Sequence, residues 1–153
     1  MAPTFLPRAF FSALLLVACT LLAACSAPPK SRLRSLDVVA ASDANQNSAT
    51  ALDLVFVYDA AALARLPDTG PEWFESSGAL SEELGNAIDI VALQIPPASV
   101  FSLPISSRHD QAIAVFIYSN YEGKAGRQRG VLTGFRKMRI HLASDRIDYN
   151  GEQ

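Results

Sequence analysis

Histidine and cysteine each occur only twice in the 153 residues, and tryptophan once. That scarcity narrows the available chemistry. His141 alternates with the apolar Ile140 and Leu142, so a strand there turns it to the opposite, solvated face. His109 lies between Arg108 and Asp110 and reads as a loop residue pairing with its neighbours. No serine sits in a nucleophile elbow and no glycine pattern could cradle a phosphate. Glu82 and Glu83 are adjacent, and a helix would point them in different directions. Nucleophilic, acid–base and metal catalysis therefore lack a supporting motif, and the chain is read as something other than an enzyme, with no metal and no cofactor. Charge of either sign is also in short supply: 13 basic residues face 15 acidic ones, which leaves no electrostatic footprint for nucleic acid.

Both cysteines fall within the first 25 residues, MAPTFLPRAFFSALLLVACTLLAAC. One positive charge, Arg8, precedes a run from Ala9 to Ala24 interrupted only by Ser12 and Thr20. The run is short for a membrane span, which needs about 20 apolar residues, and it ends in small residues rather than a basic flank. Residues 1–24 are thus read as an export signal. Leu22-Ala23-Ala24-Cys25 resembles the lipobox of bacterial lipoproteins, in which the cysteine is acylated and the chain is cut just before it. The resemblance implies covalent diacylglycerol and N-acyl lipid on Cys25. Each buried methylene contributes about 0.8 kcal/mol, so several acyl chains hold where a single one binds only marginally. Ser26 follows, not the aspartate associated with inner-membrane retention, so the expected address is the periplasmic face of the outer membrane. Cleavage would discard Cys19 and leave no free thiol, which excludes disulfides and cysteine metal sites.

Three segments are expected: the signal 1–24, a lipidated N-terminus and flexible tether 25–34, and a periplasmic domain 35–153. The tether, SAPPKSRLR after Cys25, has little to bury. Beyond it, Leu36–Ala41 predicts a strand and Ser42–Thr50 a polar loop. Leu52, Leu54, Phe56 and Tyr58 alternate with Asp53, Val55 and Val57, one apolar face against one mixed face. Asp59–Gly85 changes character: two or three short helical turns are expected, with Asp59 and Ser81 as N-caps, breaks at Pro67, Gly70 and Pro71, and a stop at Gly85. Trp73 and Phe74 in this insert are assigned to the core, packed on the sheet beneath, with an exposed docking point as the alternative. Strand signals resume over Ala87–Ile95 and Val100–Ile105, joined by Pro96–Ser99 in a hairpin-like reversal. Ala112–Tyr118 is the most continuously apolar segment and predicts a central strand buried on both faces. Lys137–Leu142 and Arg146–Tyr149 complete six or seven strands, a mostly β chain folded as a sandwich with a small helical insertion.

The charges are unevenly placed. Lys124, Arg127, Arg129, Arg136, Lys137 and Arg139 form a basic stretch without an acidic residue, interrupted by Gly126, Gly130 and Gly134. It reads as a mobile, solvated loop, or as a patch for an acidic partner or cell-wall anions.

Taken in order, these features resemble the TssJ family, the outer-membrane lipoproteins of type VI secretion systems. The resemblance rests on the lipobox at Cys25, the Asn-containing loop ASDANQNSAT, the strand LDLVFVYD, the insert EWFESSGALSEELG, the strand–turn–strand IVALQIPPASVFSLPI and the segment IAVFIYSNYEG. It implies a transthyretin-like β-sandwich that binds the periplasmic domain of the inner-membrane protein TssM and so anchors an envelope-spanning complex. In that family the loop after the first strand is implicated in the contact, which here is Asp43, Ala44, Asn45, Gln46, Asn47, Ser48, Ala49 and Thr50. A short polar loop on a rigid sandwich suits recognition, since the sheet fixes its ends. The competing reading is an envelope lipoprotein of pilotin, chaperone or cell-wall-binding type acting through Arg127 and Arg129.

Overall fold

The computed structural model describes residues 30–153. The export signal, the lipobox and Cys25 lie outside the described residues. Eight strands form two stacked four-stranded sheets. One sheet contains β4 (Val100–Pro104), β1 (Ser35–Ala40), β7 (Lys137–Leu142) and β8 (Ile147–Glu152), in that order. The other contains β3 (Ile88–Ile95), β2 (Thr50–Val57), β5 (Ala114–Ser119) and β6 (Gly130–Val131). All pairings are antiparallel except β1 with β7. The parallel register sets Leu36, Val38 and Ala40 opposite Met138, Ile140 and Leu142, so all six point to the interior. This is the expected β-sandwich with a helical insertion.

The sheets close on Leu36, Val38, Leu52, Leu54, Phe56, Val115, Ile117, Met138, Ile140 and Leu142. A second core lies on the outer face of β2 and β5. There Val55, Val57, Phe116 and Tyr118 pack beneath Ala62, Leu66 and Trp73 of the insertion. β2 is accordingly buried along its whole length, and the face read as mixed is the floor of the helical layer. β5 is buried on both faces as its composition predicts.

The insertion consists of α1 (Ala60–Leu63) and a single 15-residue α2 (Gly70–Leu84) rather than several short turns. Asp59 caps α1 by accepting from the Ala61 and Ala62 amides. Thr69 caps α2, and Pro71 opens its first turn, where a missing N–H costs nothing. Ser81 is inside the helix, and Gly85 ends it. Gly70 is not a breaker but a contact point: a Cβ there would lie 2.0 Å from the Ser119 carbonyl oxygen, so only glycine lets α2 start against β5. Trp73 is fully buried, stacks on Tyr118 at 4.7 Å between ring centroids, and donates its indole N–H to Asp53 at 2.8 Å. One polar position on β2 thereby fixes the helix above it.

Three further expectations require correction. Pro96–Ser99 does reverse the chain, but β3 and β4 belong to different sheets, so the turn is a crossover and not a hairpin. The tether expected over 25–34 is not flexible in its described part, 30–34. Ser31 and Leu33 are buried, the Ser31 amide donates to Ala112 and the Arg34 amide to Arg136, so residues 30–34 run along the sandwich. Burying Leu33 contributes about 1.5–3 kcal/mol, which together with these backbone bonds works against the entropy lost in ordering the segment. The basic stretch is also not a free loop. Arg129 lies 4.3 Å over the Phe116 ring, donates to the Pro67 carbonyl at 3.1 Å and pairs with Asp68 at 2.7 Å. Arg127 donates to the carbonyls of Tyr121 and Glu122.

Candidate functional site

Four connections meet at the end of the sandwich where β1 finishes: 41–49, 96–99, 121–126 and 143–146. The Ala41 carbonyl accepts from Ala44 and Ala98, and the Ala41 amide donates to Leu142. The first connection carries the predicted recognition residues. Ala44–Asn47 makes one compact turn in which Asn45, Gln46 and Asn47 take positive φ of 48, 55 and 63°. Three consecutive left-handed non-glycine residues cost about 1–2 kcal/mol each, less for asparagine, and persist only where surroundings hold them.

The hold is visible. The Asn45 amide donates to the Ala143 carbonyl at 3.0 Å and to the Tyr121 hydroxyl at 3.2 Å. Its side-chain Oδ1 accepts from the Glu122 amide at 2.7 Å. The Gln46 amide reaches the Ser144 carbonyl at 3.2 Å. Tyr121 completes the lock by donating its hydroxyl to the Ala143 carbonyl. Burial chiefly, then the charges of Asp145, Asp43 and Asp148, raise its pKa, while the Asn45 amide bond opposes them. The phenol therefore stays a donor. Gly126 lies flat against this ring, where a Cβ would come within 2.4 Å of Cγ.

The eight predicted loop residues divide in consequence. Ala44, Asn45 and Thr50 are buried, and Thr50 is already the first residue of β2, its hydroxyl unpartnered among the described residues. Asp43, Gln46, Asn47, Ser48 and Ala49 are exposed and form the accessible tip. Tyr121 has no motif that marks it as the lock. Its only trace in the sequence is a second tyrosine close behind a buried strand.

At the opposite end, His109 is not the surface loop residue that its neighbours imply. It is 4% exposed, stacks on Phe56 at 3.8 Å and bonds Tyr58 through Nδ1 at 2.8 Å, with Asp89 3.7 Å away. Burial lowers its pKa, Arg108 lowers it further, and Asp89 and Asp110 act the other way. Tyr58 is pushed up by burial and by Asp89. Phe56 lies near the end of β2 and Tyr58 just beyond it, so His109 plugs the end of the core. His141 is half-exposed beside Asp148 at 3.9 Å, on the outer face as predicted.

No protein-family model and no curated protein matches the sequence. Solved structures do match. The T6SS lipoprotein TssJ1 from Pseudomonas aeruginosa superposes with a TM-score of 0.60 at 18% identity, over 82% of this chain and 98% of that one. Serratia marcescens Lip, a membrane-bound component of the type VI secretion system, gives 0.55 at 13% identity, over 81% and 99%. A chain of the structure of the T6SS protein TssM C-terminal domain (869–1107) from EAEC gives 0.54 at 11% identity, over 76% and 99%. The fold is TssJ-like.

Proposed function

We propose that this chain is a lipoprotein held by acylated Cys25 at the periplasmic face of the outer membrane, where it anchors the membrane complex of a type VI secretion system by binding the periplasmic domain of a TssM-like inner-membrane protein. The observation that carries the reading is a TssJ-like sandwich, matched over nearly the whole length of TssJ1, that presents a locked polar loop at one end. The work is tethering: lipid fixes one end of an envelope-spanning assembly, and the loop tip holds the next component. No reaction is required.

In this reading Asn45 holds the loop in shape, and the exposed Asp43, Gln46, Asn47, Ser48 and Ala49 make the contact. Arg127 and Arg129, on which a glycan-binding reading would rest, are engaged within the fold.

The test is a pull-down of the lipidated protein from detergent-solubilised envelopes, repeated with Gln46→Ala, Asn47→Gly and Ser48→Ala combined, where glycine keeps the left-handed conformation of position 47 accessible. A TssM-like protein recovered with the parent and lost with the variant is expected. Recovery of glycan or an exported protein instead would overturn the partner. In parallel, Cys25→Ser is expected to abolish palmitate labelling and complex assembly while leaving the domain folded; secretion at the parental level would sink the anchor.

A further inference from the structure

Residues 30–34 alternate strictly: Lys30, Arg32 and Arg34 are exposed, while Ser31 and Leu33 are buried. The buried members fix the segment to the sandwich, so the three cations project from one side of it. The Arg34 amide donates to the Arg136 carbonyl, which brings a fourth cation alongside. Arg32, Arg34 and Arg136 together line a hollow of about 260 Å³. Asp110, paired with Arg34, is the single carboxylate bonded into this group, and the neighbouring Lys137–Glu152 pair is neutral. Among the described residues neither Arg32 nor Arg136 has an ion-pair partner, and residues 1–29 contain no Asp or Glu that could supply one. Concentrated positive charge on a chain of net negative charge calls for an anionic counterpart.

Its place in the fold says which. Lys30 is five residues from Cys25, and five residues span at most about 17 Å. β1 runs from this end to the recognition loop, and its six residues cover about 20 Å. The cations therefore lie at the lipid-proximal end, within reach of the surface that the anchor enters. We propose that Lys30, Arg32, Arg34 and Arg136 form a basic collar that seats the sandwich on anionic phospholipid headgroups, so that the domain stands with its loop end directed away from the membrane. A lipid on a short segment fixes the distance; the collar fixes the direction. Arginine suits the task because its planar fork matches phosphate oxygens bidentately.

The orientation rests on the lipid anchor proposed above, so the test leaves the lipid out. Residues 30–153 contain both sheets and both cores, and the unlipidated chain 26–153 is mixed with phosphatidylcholine vesicles, with and without phosphatidylglycerol. Binding to the anionic vesicles that weakens with salt is expected. Arg32→Gln with Arg136→Gln should weaken it roughly 25-fold, at about fivefold per residue. Lys124→Gln, at the loop end, should leave it unchanged. Equal partition to neutral vesicles, or a double variant that binds like the parent, overturns the collar. Palmitate labelling at Cys25 is measured separately, so either claim can fail without the other.

Discussion

Replacing Asn45 by alanine tests whether the loop is locked in the way the hydrogen bonds imply. The side chain is 1% exposed, and its Oδ1 is the partner of the Glu122 amide at 2.7 Å. Truncation leaves that amide without an acceptor, at about 1–3 kcal/mol. It also removes asparagine's tolerance of φ +48°, at a further fraction of a kcal/mol. Together about 2–3 kcal/mol is expected, a large share of a domain stability of about 5–15 kcal/mol. With a urea m-value of roughly 1.5 kcal/mol/M, the unfolding midpoint should fall by about 1–2 M. Asn45→Asp keeps an acceptor and the left-handed preference and should lose much less. Asn45→Gly loses the bond but relieves the backbone and should fall between the two. If alanine and aspartate unfold at the same urea concentration, the bond to Glu122 is not what holds the loop.

Two other predictions follow from buried partners. Trp73→Phe keeps the stack on Tyr118 but strips the buried Asp53 carboxylate of its donor, so a loss of about 2–3 kcal/mol is expected by urea unfolding, and Trp73→Phe combined with Asp53→Leu should recover part of it. His109 has a native pKa below its unfolded value of about 6.5, so the unfolded chain binds the proton first. Stability should then be full above pH 6.5 and fall as pH drops toward the lowered native pKa; His109→Phe should remove that dependence, and an unchanged slope in the variant would assign it elsewhere.

The strands were legible because their signals are local. Alternation in β2 and β7 and the unbroken apolar run of β5 reflect faces that must be buried whatever the topology. Partnership was not legible. β3 and β4 are joined by a short turn yet enter different sheets, and nothing in Pro96–Ser99 distinguishes a crossover from a hairpin. Pro71 reads as a break in a propensity argument and acts as a helix start once Thr69 caps it. Lys30–Arg34 reads as a tether because its cations dominate the composition, whereas the two buried positions, Ser31 and Leu33, decide where it lies. The polar loop was legible in its composition and was assigned its role by resemblance, but its division into a buried lock and an exposed tip depends on Tyr121, Glu122 and Ala143, all remote in sequence.

That division has a consequence for binding. Ordering one residue of backbone costs about 1–2 kcal/mol, so a flexible Gln46–Ala49 tip would lose about 4–8 kcal/mol of binding free energy on meeting a partner. The lock places that cost in folding instead. Tyr121→Phe isolates the effect, because the ring still fills its site against Gly126 while the bonds to Ala143 and Asn45 are lost. Both groups keep alternative partners, since Asn45 also donates to the Ala143 carbonyl, so the fold should survive with a loss of about 1 kcal/mol. Amide exchange at Gln46 should quicken, and capture of the proposed TssM-like partner should weaken severalfold although no exposed tip residue has changed. Faster exchange with undiminished capture would show that the partner reads the tip without needing it held.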